Sequence, residues 1–192
     1  MTHEAEIFCP KDRKAWRKWL TKHHEQKESV WLVVYKKGAP ETNLTWSEAV
    51  DEALCFGWID SLKKPVDEEK YKQYFTKRKP NSTWSRINKD KIKALTETGQ
   101  MAKAGIVSVQ LAKRNGSWSL LDGVENLEIP PELNQAFRKV PGSKPFFNSL
   151  SKSIRKQLLY WVVSAKRPET KAKRIAEIVT ATGKNTTPKQ FQ

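Results

Sequence analysis

A helix-rich α+β fold is predicted: a small antiparallel sheet packed against helices, followed by an all-helical C-terminal module. Three observations predict it. Segments rich in β-branched and aromatic residues recur at about 30–37, 58–63 and 70–78. Helix caps and apolar stripes of helical period occupy most of the remaining chain. No strand pattern recurs after the connection at 122–132. The expected organisation is an N-terminal α+β domain over 1–122, a helical module over 123–183 and a loose tail over 184–192.

The elements follow in order. Pro10 suits the first turn of a helix running to about His23, with Trp16, Trp19 and Leu20 on one face. His23 and His24 are adjacent, so a helix points them about 100° apart, and they read as polar residues at a helix end rather than a metal pair. The stretch 29–37, SVWLVVYKK, is a strand without alternation in its middle, expected to be covered on both faces. Thr45-Trp46-Ser47-Glu48 is a capping box, and Trp46, Val50, Ala53 and Leu54 form the stripe of the helix behind it. Gly57 ends that helix. Two strands follow, joined through Pro65 and the run Asp67-Glu68-Glu69. Asn88 is placed to cap a helix over 89–98, and another helix spans 102–114. In the C-terminal part, helices are expected over 132–140, from Ser151 onward, and from Pro168 to Gly183.

Composition narrows the function. The 192 residues are long enough to bury about 70% of their unfolded surface without disulfides. Two Cys, at 9 and 55, cannot make a disulfide scaffold or an all-cysteine zinc cluster, and they suit a reducing compartment. Cys55 sits in an apolar run and reads as core. No apolar run approaches the roughly 18 residues of a membrane span, and MTHEAEIFCP shows no signal-peptide pattern. A cytoplasmic protein is expected. The net charge of +15 is concentrated in two blocks, 61–113 with 13 basic against 5 acidic residues, and 152–192 with 10 against 2. Such charge invites an anionic partner, although solvated lysines give the same composition.

No phosphate-loop, dinucleotide, zincin, hydrolase-elbow or EF-hand pattern is present, and the three His (3, 23 and 24) all lie near the start. No cofactor or metal is expected. The densest chemistry lies between Trp58 and Asn88. Alternation puts Trp58 and Asp60 on one strand face and Ile59, Ser61 and Lys63 on the other. On the next strand Tyr74 and Arg78 share a face. Ser82, Trp84, Ser85 and Asn88 follow, at a helix start whose N–H groups favour anions. Trp58, Asp60, Ser61, Lys63, Tyr74, Arg78, Ser82, Trp84, Ser85 and Asn88 are therefore candidate ligand-binding residues, expected to converge on one cavity. Asp60 and Arg78 read equally as a structural ion pair. A second basic patch, Lys166, Arg167, Lys171 and Arg174, reads either as a phosphate clamp or as a solvated face.

Together, ALCFGWIDS (53–61), Tyr74-Phe75-Thr76 with Arg78, SxWSxxN (82–88), Gly99-Gln100-Met101 and SAKRPETKAKRI (164–175) resemble the YdeI/OmpD-associated, or bacteriocin-protection, family over nearly the whole chain. Residues 130–183 look like the helical module that gives the family its label. One departure is Lys77, where the family commonly has Pro before the Arg. The resemblance implies a bacterial role in bacteriocin or stress tolerance and brings no catalytic residues. The preferred expectation is a non-catalytic binding protein whose pocket accepts an anionic small molecule or an acidic protein surface. One alternative is nucleic-acid binding through both basic blocks. The other is an enzyme with Asp60 as acid/base beside Tyr74 or Arg78.

Overall fold

The computed structural model describes residues 5–192, which form two compact units that divide after Trp118. His3 and the first residues of the N-terminal segment lie outside the described residues.

The first unit is α+β. Its sheet has the order β1-β2-β4-β3, from β1 (Ile7–Phe8), β2 (Ser29–Tyr35), β3 (Trp58–Pro65) and β4 (Lys70–Lys77). The three expected strands pair antiparallel, but β1 adds a parallel edge, so the sheet is mixed. A two-residue strand carries too little pattern to be read from sequence.

Four helices complete this unit: α1 (Arg13–His23), α2 (Trp46–Cys55), α3 (Arg86–Glu97) and α4 (Lys103–Arg114). Asp12, not Pro10, starts α1, its carboxylate accepting from the Ala15 N–H at 2.7 Å. The Thr45–Glu48 capping box forms as expected. Ser85, not Asn88, caps α3, and Asn88 donates its N–H to the Ser85 hydroxyl at 3.3 Å. Helix α3 therefore begins three residues earlier than Asn88 suggested.

One core joins sheet to helices. Trp16, Leu20, Leu32, Leu54, Trp58, Phe75 and Trp84 are almost completely buried within it. Burying a large apolar side chain contributes about 1.5–3 kcal/mol, so these seven residues dominate the cohesion of the unit. Glu52 is buried among them and is held at 2.6 Å by both Arg13 and Arg17. Burial works against the charge on both arginines, yet the Glu52 bond and charge outweigh it and hold them above their ordinary range. Cys55 is buried, and burial pushes its thiol up, which makes it a packing residue.

Helices α2 and α4 meet at Gly105. A Cβ there would lie 2.3 Å from the Cys55 carbonyl oxygen, and that same oxygen accepts from the Ala102 N–H at 3.1 Å. Gly57, at φ +73°, ends α2 in a conformation that costs a side chain energy. A Cβ there would also meet the Ser108 side chain of α4 at 3.1 Å.

The second unit is all helical: α5 (Asp122–Glu125), α6 (Pro131–Arg138), α7 (Ser143–Ser149), α8 (Lys152–Val163) and α9 (Pro168–Gly183). Its core is built from Leu133, Phe137, Phe147, Leu158, Leu159, Val162 and Ile178. Helices α5 and α7 are additions to the sequence reading, and both are short. The stretch 184–192, expected to be a loose tail, folds back instead. Thr187 is buried, and the Phe191 ring packs edge-on to Trp161 at 5.4 Å.

Candidate functional site

Arg78 is the centre of the site. Strand β4 stops at Lys77, and the Arg78 N–H donates across to the Gly57 carbonyl at 2.9 Å. The side chain therefore leaves the alternation of β4. Its Nη1 donates to the Thr83 carbonyl at 2.8 Å and to the Ser82 hydroxyl at 3.4 Å. The guanidinium lies over Trp84, 3.7 Å from the ring centroid. Trp84 is buried and packs in turn on Trp118, with the rings tilted and their centroids 5.1 Å apart.

The other edge of the guanidinium, Nε with Nη2, is buried and has no hydrogen-bond partner. The indole N–H of fully buried Trp58 is in the same state. Arg78 and Trp58 both line one cleft of about 360 Å³, with Gly57 and with Ala104, Val107 and Ser108 of α4 on its wall. Glu25 reaches the same cleft. Lys77, also on its wall, is tied to Glu28 at 2.7 Å. Burial pushes the Arg78 guanidinium down to about 10, against the pull of the Asp60 charge. The group stays charged at neutral pH and lacks a counter-ion in contact. Unpaired buried donors are costly, and an Nε/Nη2 edge is the fork that grips a carboxylate or phosphate with two bonds.

The remaining expected residues divide. Ser82 and Trp84 hold Arg78 in place. Ser85 and Asn88 are occupied at the start of α3, apart from the residues that line the cleft. Asp60 does not pair with Arg78. Its Oδ2 accepts from the Trp46 indole at 2.9 Å and from buried Gln73 at 3.2 Å. Trp46, expected on the inner stripe of α2, is 45% exposed because it sits in the first turn and reaches over to Asp60. Ser61 is exposed, and its carbonyl accepts from Gln73 at 3.3 Å.

Two residues lie elsewhere. A β-bulge between Asp60 and Lys63 shifts the register, so Lys63 pairs with Gln73 and joins the Asp60 face instead of opposing it. Its ammonium rests 3.9 Å from the Tyr71 ring centroid, in a separate cleft of about 710 Å³ beside Tyr35, Asn43 and Trp46. Tyr74 stands on the opposite sheet face from Phe75 and packs on Trp31 at 4.7 Å. The ten residues thus do not converge on a single cavity. A third cleft, of about 490 Å³, opens between α3 and α4 around Met101, Val109 and Trp118, but its walls present no unpaired buried donor.

The second basic patch is partly used up. Lys171 pairs with Glu132 at 2.6 Å. The Arg174 Nη1 donates to the Trp161 carbonyl at 2.6 Å and to the Ser164 hydroxyl at 3.3 Å, closing the end of α8. Lys166 and Arg167 are exposed.

Sequence reasoning named Trp58 and Arg78 but missed that Gly57 and the α4 residues Ala104, Val107 and Ser108 line the cleft with them. The signal was the FGW step itself, where a positive-φ glycine precedes a tryptophan. Among the described residues no group of three or more His, Cys, Asp or Glu is arranged to hold a metal. No helix among them is long and apolar enough to cross a membrane.

These features define a class: an α+β unit with an arginine–tryptophan cleft, joined in one chain to a helical unit. Residues 126–185 match the family profile described as Bacteriocin-protection, YdeI or OmpD-Associated. Residues 8–108 match the profile described as Domain of unknown function (DUF8412). The chain belongs to this second family, whose profile covers more than half its length, and the YdeI/OmpD-associated profile matches within the helical unit. The resemblance read along nearly the whole chain is thus located in the C-terminal part, and the cleft falls in the other domain. No curated protein and no solved structure matches the chain.

Proposed function

We propose that the protein is a non-catalytic binding protein that takes a small anion at the Arg78 cleft. The observation that carries this is the set of buried donors without acceptors: Arg78 Nε, Arg78 Nη2 and Trp58 Nε1. All three donate and none accepts, so their complement is an oxyanion such as a carboxylate or phosphate. These atoms are closed to solvent, so binding requires the cleft wall to part. Asp60 is held by two donors and serves as scaffold in this reading rather than as acid/base. The domain match over 126–185 supports a role in bacteriocin or stress tolerance, and the protein is taken to act in the cytoplasm.

Isothermal titration with inorganic phosphate and with sulfate tests the reading. The wild-type protein should bind one anion per chain. Arg78→Met should bind none, and Arg78→Lys should bind weakly, because an ammonium lacks the fork. Lys139→Gln, on the exposed end of α6, should bind as wild type. Equal anion binding by wild type and Arg78→Met would refute the site.

A further inference from the structure

The sheet of the first unit has a second face. In β2 and β4, Val30, Leu32, Val34, Tyr71, Gln73 and Phe75 are buried toward the helices. Alternation therefore sets Trp31, Tyr35, Lys70, Lys72 and Tyr74 on the opposite face. The register aligns them across strands: Trp31 with Tyr74, Tyr35 with Lys70, and Val33 with Lys72, which pairs on its other side with Lys64 of β3. Val33 is 7% exposed yet stands apart from the main core, so this face has packing of its own.

The chemistry of the face is aromatic and cationic. The Trp31 and Tyr74 rings lie 4.7 Å apart at 47°. The ammonium groups of Lys72 and Lys64 stand 5.0 and 5.4 Å from the Trp31 ring centroid, and that of Lys70 stands 5.0 Å from Tyr35. The neighbouring carboxylates lie toward one end and are engaged. Glu41 bonds the Tyr35 hydroxyl, and Asp67 accepts the Glu69 and Lys70 N–H groups. Lys36, at that end, donates to the Asp67 carbonyl at 2.8 Å.

We propose that this face binds single-stranded nucleic acid. Bases stack on Trp31 and Tyr74, and Lys64, Lys70 and Lys72 meet the phosphates. The charge on the face is of one sign and complements a polyanion. The rings add something an acidic peptide does not use, since every unpaired base has a π-face to lay on them. A duplex hides those base faces inside its stack. Lys64 and Lys72 now cover Trp31 by cation–π contact. An incoming base takes their place on the ring, and the released ammonium groups move to the backbone beside it. This site shares no residue with the Arg78 cleft, so either can fail alone.

Fluorescence anisotropy with a labelled oligothymidylate of about twelve nucleotides tests the proposal, a length within the span of known single-strand sites. Three phosphate contacts predict a log–log salt slope of about −2, or roughly a twentyfold loss of affinity between about 50 and 200 mM salt. Trp31→Leu with Tyr74→Leu should weaken binding by about tenfold or more and keep that slope. Lys64→Gln with Lys72→Gln should flatten the slope by about two-thirds. If the ring variant does not fold, the slope of the lysine variant decides. The proposal is overturned by no binding in dilute salt, by a lysine variant with an unchanged slope, or by a folded ring variant that binds as wild type. A duplex of equal length, polyglutamate or polyphosphate bound as tightly as the oligonucleotide would also overturn it.

Discussion

Each unit lays an arginine against a tryptophan, and the two pairs are used differently. In the second unit Arg174 stands 5.3 Å from the half-buried Trp161 ring and spends Nη1 on the end of α8. In the first unit Arg78 lies 3.7 Å from fully buried Trp84, and its Nε/Nη2 edge has no partner. The same two residue types thus give a helix closure in one place and an unfilled fork in the other. The contrast lies in what surrounds them. Each Nη1 finds one carbonyl and one hydroxyl, Arg174 at the end of α8, where orphan carbonyls are plentiful, and Arg78 at Thr83 and Ser82. Arg78 leaves a strand end between Trp84 and the wall of α4, and its remaining edge is buried there without a partner.

The contrast is sharpest in the rings. Trp84→Ala removes a buried ring and should cost about 3–5 kcal/mol in urea unfolding, while Trp161→Ala, only partly buried, should cost less. Equal costs would erase the distinction between the pairs.

The arginines themselves should then differ in sign. Arg174→Gln should lose about 1.5–3 kcal/mol, the worth of hydrogen bonds from a charged group. Arg78→Met should leave stability within about 1 kcal/mol of wild type or raise it, because an apolar chain of similar length replaces an unpaired buried charge. An Arg78→Met protein that melts far below wild type would show that Arg78 is structural after all.

The smallest effect is in pH. Burial lowers the Arg78 guanidinium to about 10 when folded, below its unfolded value. The unfolded chain then binds more protons across that interval, so this group's contribution to stability rises with pH through about 10. Sulfate keeps its charge throughout, so its affinity for the cleft should stay flat to about pH 9 and fall through about 10. A fall near neutral pH would refute Arg78 as the anion's partner.

Much of the fold was legible because local chemistry agreed with it. The Thr45–Glu48 box, the Gly57 stop and the period-2 burial of Tyr71, Gln73 and Phe75 all appear where the pattern puts them. The site was legible only in part. Alternation cannot see a bulge, so Lys63 was set on the wrong face. Nor can it see that β4 ends one residue before Arg78, which parts Arg78 from Tyr74. Trp46 fits an apolar stripe by spacing, yet its partner is Asp60, fourteen positions away on a strand that only tertiary structure brings near. The strand 29–37 was expected to be covered on both faces. Trp31 and Tyr35 remain part-exposed because none of α1 to α4 joins the core on that side.

The hydrogen atom at Gly105 works as a gauge. It lets α4 come down onto the Cys55 carbonyl, and Ala104, Val107 and Ser108 on that helix form one wall of the cleft. The aperture over Arg78 is thus calibrated at a point that no ligand touches. A methyl group at Gly105 would act as a shim, lifting the helix and widening the slot while every residue that faces the anion keeps its identity.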